Sequence, residues 1–270
     1  MQPRVCAVSY LNTVPLVWGM TRGPQQGIFD LSFDIPSVCA DRVLSGQADI
    51  GIVPAAALLE RDLAIYRGAG IACRGAVRTI LLISKVPYER IGVVAADSSS
   101  RTSVLLSRLI LGEVYGTNPA LISMPPRLRP MLEAADAALI IGDPALVIDP
   151  DELRGQHLHV TDLGEEWMRM TGLPMVFAVW AGRSDIHSRA HEEVFIDSCR
   201  FGLEHLDEIV DQEHAQRGIS ARLARQYLTE NLVLELGETE YRGMSEFLRL
   251  ASQLAPARTA PKPRPEGVTV

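Results

Sequence analysis

The sequence has no CxxC pair, no long basic run and no apolar stretch approaching the ~18 to 20 residues that a membrane span needs. Each absence removes a class of protein. Cys6, Cys39, Cys73 and Cys199 stand singly in apolar or helical surroundings; they make neither a disulfide framework nor a zinc signature and read as free buried thiols of a reducing compartment. A net charge of −7 without a basic patch excludes a nucleic-acid footprint, so an anionic ligand must be captured by a local site rather than by bulk charge. The first apolar run follows Arg4, is broken by Ser9 and Asn12, and precedes no small-residue cleavage site, which is not the form of a signal peptide. These features predict a cytoplasmic protein without membrane contact.

Catalytic signatures are also missing. No GxGxxG follows a strand, no P-loop is present, there is no GxSxG, and no cysteine has an obvious histidine partner. His187 and His191 share a helix face at i, i+4 in "HSRAH" but lack a third ligand, while His157 and His159 alternate about Leu158 as strand residues do. Neither a metal nor a cofactor is expected.

What is present is ordinary for a globular chain: 270 residues, 47% hydrophobic and 22% charged, enough for one large domain or two lobes. "RVCAVSY", "LSFDI" and "ADIGIVP" read as strands, separated by helical "LVWGM" and by "PSVCADRVLSGQ" with Pro36 in its first turn; "PAAALLERD" reads as a short helix. This punctuation predicts a mostly parallel sheet. "RGAGIACRG" and "VRTILLISK" add two strands. From Tyr88 a second α/β unit begins, with strands "IGVVAAD", "ALISMP" and "AALIIGD" and helices "TSVLLSRLILGEVYG" and "LRPMLEAAD". After a long strand, "GLPMVFAVWAGR", the chain is helical in period until a Pro-rich stretch with too little apolar content to pack. The predicted plan is two-lobed: residues 1–86 and 175–255 in one lobe, 87–174 in the other, a mobile tail at 256–270, and crossings near Lys85 to Tyr88 and Leu173 to Phe177. Strand C-terminal ends and helix N-termini then face a cleft, where ligands bind.

Polar clusters fall at that address. "SYLNTVPL" puts Ser9, Asn12 and Thr13 where the first strand hands over to a helix; a helix cap and a turn before Pro15 would account for them equally well. "ADSSSRTSVLL" sets Ser98, Ser99, Ser100, Arg101, Thr102 and Ser103 at the corresponding junction of the second unit. That is more hydroxyl than a cap needs, and with the positive helix end it points to a bound carboxylate or phosphate. Ser37 at a helix start, Thr79 in the strand leading to the expected crossing, and Gly142 with Asp143 in "IIGDPAL" are caps or turns taken singly, but share the cleft.

Together, "SYLNTVPL", "IPS" at Ile35 to Ser37, "GQADIGIVP", "SSSRTSV", "IIGDPAL" and "TGLPMVFAVW" resemble the chorismate dehydratases of the futalosine route to menaquinone, over nearly the whole chain apart from the tail. The resemblance implies a type II periplasmic-binding-protein fold, in α/β form with mixed sheets flanked by helices. It implies a hydro-lyase that converts chorismate to 3-[(1-carboxyvinyl)oxy]benzoate and water, with Asn12 and Thr79 against the substrate and Ser100, Thr102, Ser103, Gly142 and Asp143 on the opposite wall. The cluster reading adds Ser9, Thr13, Ser37 and Arg101 as substrate-binding. No strong base stands among these residues except Asp143, so the substrate's own enolpyruvyl carboxylate is the expected proton acceptor. Two alternatives stay open. One is a non-catalytic binding protein for a small carboxylate, for which export or an anchor would be needed. The other is a sister enzyme acting later in the route, whose expected site histidine has no counterpart in "IIGDPAL".

Overall fold

A computed structural model of the chain describes residues 2–254; the Pro-rich stretch predicted as a tail lies outside them. In chain order the strands are β1 (Arg4–Val8), β2 (Asp30–Asp34), β3 (Ile50–Pro54), β4 (Ala64–Cys73), β5 (Ile80–Ser84) and β6 (Val93–Asp97). They continue with β7 (Ala120–Met124), β8 (Ala137–Ile141), β9 (His159–Asp162), β10 (Met175–Gly182) and β11 (Val233–Glu235). The strands form a six-stranded sheet in the order β11-β4-β10-β3-β1-β2 and a five-stranded sheet in the order β7-β6-β8-β5-β9.

Each sheet repeats one design. A parallel trio, β2-β1-β3 or β7-β6-β8, is extended by an antiparallel strand, β10 beside β3 and β5 beside β8. The expectation of mostly parallel sheets therefore holds only for the trios. The trio strands are short apolar runs joined by helices, and β3 and β8, which lie between the rest of the trio and its antiparallel neighbour, are buried along their whole length. "PAAALLERD" forms a 3-10 turn, Ala55–Leu59, rather than an α-helix.

β10 is buried end to end and forms the spine of the larger lobe. Trp180 stacks on Phe195 of the helix Arg189–Glu204 with ring centroids 4.3 Å apart. That helix lies against the helix Val14–Arg22 so closely that a Cβ on Gly202 would fall 2.1 Å from the Pro15 carbonyl oxygen. No side chain but hydrogen fits there.

Sheet membership moves one predicted boundary. β5 belongs to the second sheet, so the first crossing runs through 74–79 and not through Lys85 to Tyr88; the second, at 172–174, lies at the start of its predicted span. "ILLIS" looks the same in either sheet, because a buried strand carries no mark of which sheet it joins.

The Asp162 carboxylate, at the end of β9, ties the first crossing to the start of the helix that leads into the second. It caps the helix Leu163–Thr171 by accepting from Gly164 N (2.9 Å) and Glu165 N (3.2 Å), and it also accepts from Val77 N (3.0 Å) and Arg78 N (2.6 Å) in the first crossing. Arg78 sits in the left-handed region at φ 70°, unusual for a residue with a Cβ, and its guanidinium donates to the carbonyls of Ala145 (3.2 Å) and Ile148 (2.5 Å). Replacing Asp162 by Ala strands four backbone donors at the junction. The expected cost is about 2–4 kcal/mol, read as a lowered denaturant midpoint; a midpoint unchanged from wild type would show that the crossings hold without it.

Candidate active site

The C-terminal ends of both parallel trios meet across a cavity, as the crevice rule for such sheets requires. Val8, Pro54 and Ile141 close the ends of β1, β3 and β8, and about 550 Å³ of space opens between them, including the mouth. Most of the wall is apolar. Set into it are Asn12 and Thr79 on one side and Ser100, Arg101, Thr102 and Ser103 on the other, with Gly142 and Tyr10 beside them.

Asn12 lies in the 3-10 turn Leu11–Thr13 that leads β1 into its helix, and Thr13 donates its hydroxyl to Asn12 Oδ1 at 3.2 Å. Thr79 is buried, and its hydroxyl pairs with the Tyr227 hydroxyl at 2.9 Å. Opposite, the helix Thr102–Glu113 begins at the cavity wall, and the N–H groups of its first turn have no partner inside the helix. A dipole end aimed at an apolar cavity favours a carboxylate there.

The remaining polar groups hold the lobes together. Thr102 Oγ1 donates to Phe177 O (3.1 Å) and accepts from Ala56 N (3.1 Å), both in the other lobe. Arg101 is paired with Asp41 and Glu60, also across the gap, so its charge is already matched. Asp97, at the end of β6, accepts from the Ser99 N–H (2.9 Å) and hydroxyl (2.7 Å) and from Ile141 N (3.2 Å). Burial pushes the Asp97 carboxyl above its ordinary value, against the pull of those donors. Ser99 Oγ then meets the Tyr10 hydroxyl at 3.1 Å, and Ser99 O accepts from Ser37 N at 3.1 Å. Burial pushes the Tyr10 phenol up to about 12. The Tyr10 ring lies on Gly142, where an added Cβ would come within 2.4 Å of it and where φ is +64°. Glycine is required at that position on both counts.

Four residues expected on the wall stand elsewhere. Asp143 accepts from Leu11 N (3.0 Å) with one oxygen and from the Arg217 guanidinium with the other, and Arg217 also donates to Glu213 (2.7 Å) and to Ser9 O (3.3 Å). Burial raises the Asp143 carboxyl and Arg217 pulls it back, so the group joins the lobes instead of facing the cavity. Thr13 is fully buried beneath the turn. Ser9 faces a separate surface groove beside Trp18 and Arg217. Ser37 contributes its backbone N–H to Ser99 while neighbouring Pro36 reaches the wall.

His187 and His191 spend ring nitrogens on Glu192 and on the Ile186 carbonyl. Among the described residues no cluster of three or more histidines, cysteines or carboxylates is arranged to hold a metal ion, and no helix is long and apolar enough to cross a membrane. All four cysteines are free and buried.

The Asp143–Arg217 pair is mostly shielded from solvent, with 21% and 15% of the side chains exposed, so deleting one partner leaves an uncompensated charge. Arg217→Ala is expected to lower the thermal midpoint and to expand the particle in solution scattering as the lobes part. Unchanged scattering and an unchanged midpoint would show that the other cross-lobe bonds suffice.

Residues 3–253 match the protein-family profile described as menaquinone biosynthesis. Chorismate dehydratase of Thermus thermophilus is 28% identical over 228 residues, covering 79% of this chain and 83% of that one. Among solved structures, a structural-genomics target protein of Archaeoglobus fulgidus aligns with TM-score 0.72 and 18% identity over 93% of this chain and 97% of its own. A Candida albicans protein described as having the generic periplasmic-binding-protein fold aligns with TM-score 0.65 and 14% identity over 95% and 92% of the two chains. The periplasmic aliphatic sulphonate binding protein of Escherichia coli gives TM-score 0.61 and 12% identity over 100% and 97%. The likenesses to solved structures establish the periplasmic-binding-protein fold; from the family match over nearly all the described residues, the chain is a member of the menaquinone biosynthesis family.

Proposed function

We propose that this protein is a chorismate dehydratase, a hydro-lyase that removes water from chorismate to give 3-[(1-carboxyvinyl)oxy]benzoate. The observation that carries the reading is the composition of the cavity wall. Asn12 and Thr79 face a hydroxyl-bearing helix N-terminus across an apolar gap, and the charged residue on the wall, Arg101, is already matched by two carboxylates. Such a wall suits an apolar ring carrying two carboxylates, held by dipoles and neutral donors. The Thermus thermophilus relative bears the name of this activity, and a cytoplasmic location goes with the reading.

The mechanism follows from what the wall lacks. Asp143 and Asp97 have their oxygens occupied by backbone and side-chain donors, so neither is placed to take a ring proton. The substrate's own enolpyruvyl carboxylate removes the proton from the ring carbon that bears the ether, the neighbouring hydroxyl departs and is protonated to water, and the ring becomes aromatic. The protein's part is to fix the conformation in which that carboxylate reaches the C–H. Asn12 orients the carboxylate or the leaving hydroxyl, Thr79 donates beside it, and the first turn of the helix Thr102–Glu113 holds the other carboxylate. The wall residues Ser100, Ser103 and Gly142 belong to that second half of the site. A binding protein without catalysis would share this geometry, and turnover separates the two.

Purified protein given chorismate without added metal or nucleotide is expected to form an aromatic product, followed by absorbance and mass. Unchanged chorismate would overturn the reading. Asn12→Asp keeps the side chain's shape but removes the donor and adds a third negative charge beside a dianion; turnover is expected to fall about a hundredfold or more. Its thermal midpoint should fall far less than its turnover, because the side chain caps no helix and an Asp oxygen still accepts from the Thr13 hydroxyl. Near-normal turnover in that variant would take Asn12 out of the mechanism.

A further inference from the structure

Two of the four free cysteines are neighbours in space. Cys6 lies in β1 and Cys39 in the helix Pro36–Leu44 packed on it, and their sulfur atoms are 3.0 Å apart, about 1 Å beyond the ~2.05 Å of a disulfide bond. Cys39 Sγ is also 3.2 Å from the Ala7 carbonyl oxygen, and both residues are fully buried. A single buried thiol is accounted for by packing, since it behaves as a small apolar side chain. A cation beside a pair of them is not. Arg42, on the same helix as Cys39, sets Nη1 3.7 Å from Cys6 Sγ and 3.3 Å from Ser32 Oγ.

The other two cysteines set the contrast. Burial pushes the Cys73 and Cys199 thiols up, and among the described residues neither has a second sulfur within hydrogen-bond distance. Cys6 goes the other way: its contacts with Cys39 and Arg42 hold its thiol below the ordinary range in spite of burial, as a cation does for reactive thiols. The Arg42 side chain is 36% exposed, so one movable side chain links the buried sulfur to water. The pair also lies beneath the cavity wall. β1 leads to the turn that carries Asn12, while the helix Pro36–Leu44 puts Pro36 on the wall, donates Ser37 N to Ser99 O and pairs Asp41 with Arg101.

We propose that Cys6 and Cys39 form a reversible redox site, which a hydroperoxide oxidises to a disulfide joining β1 to the helix Pro36–Leu44. The Cys6 thiolate attacks one peroxide oxygen, the O–O bond breaks, and the departing oxygen takes up the proton that Cys6 released and leaves as water, with a sulfenic acid left on Cys6. The Cys39 sulfur then attacks the Cys6 sulfur; the S–S bond forms as the S–O bond breaks, and the hydroxide leaves with the Cys39 proton as a second water. Two thiols and one hydrogen peroxide thus give one disulfide and two waters, the sulfurs losing the two electrons that the peroxide gains. A dithiol reductant restores the pair by exchange. This chemistry is independent of what the cavity binds.

The test treats the folded, fully reduced protein with hydrogen peroxide and follows it by intact mass and, after unfolding and alkylation, by peptide mapping. The expected product has lost the mass of two hydrogen atoms and two of its four thiols, carries a Cys6–Cys39 link, and returns to the starting mass with a dithiol. Cys39→Ser removes the sulfur that resolves the sulfenic acid, so in that variant Cys6 should gain oxygen and form no link. Three wild-type results would each overturn the proposal: four intact thiols after an exposure that consumes those of the unfolded chain, a gain of oxygen with no loss of hydrogen, or a link through Cys73 or Cys199. They decide it even if the serine variant does not fold.

Discussion

Two lobes joined by two strands of chain would gape unless something spanned the gap, and the half-buried carboxylate of Asp143 does so by serving both sides at once. It leaves the end of β8, accepts the Leu11 N–H from the turn after β1, and meets the Arg217 guanidinium from the C-terminal helical layer. A charge taken out of water in this way is tolerable only with partners in place, so the Leu11–Thr13 turn, the β8 end and the segment around Arg217 are fixed relative to one another. The Tyr10 ring on Gly142, the Ser99 bonds to Tyr10 and Ser37, and the Thr102 bonds to Ala56 and Phe177 work within the register that this pair sets. The cavity is what remains between them.

This division of labour explains why the wall is so sparing with charge. The polar residues near the cleft fall into two groups, those saturated by protein partners and those left with a donor to offer. Asp97, Asp143, Arg101 and Thr102 are in the first group; Asn12, Thr79 and the opening turn of the helix Thr102–Glu113 are in the second. Neutral donors and backbone dipoles can hold an anion without supplying a competing base.

Much of this was legible in the sequence, and the failures share a cause. The alternation of short apolar runs with helical segments announced two α/β units, and the hydroxyl-rich junctions after β1 and β6 marked the two sides of the cleft. Which side of a turn a residue takes was not legible: Ser9, Thr13 and Ser37 sit within a residue or two of wall positions yet face a groove, the interior and a neighbouring backbone. The first crossing was misplaced because the strain that marks it sits on Arg78, a residue type that gives no warning of a left-handed backbone, while the more visible Pro87 lies beyond β5. Arg217 and Tyr227 act through contacts 208 and 148 residues away along the chain, and helical periodicity carries no information about partners so distant.

The ion clusters flanking the cleft have a kinetic consequence. Arg101 is matched by Asp41 and Glu60, and Arg217 by Asp143 and Glu213, so each cluster carries one carboxylate more than it has guanidinium. On a chain whose net charge is already −7, an approaching dianion meets a repelling field until it is inside. Entry is then slow for an electrostatic encounter and quickens as salt screens the field over its Debye length of ~8–10 Å, the reverse of the salt response of a cation-lined site. The same field works outward on a product of equal charge, so the architecture gives up speed of capture and gains speed of release.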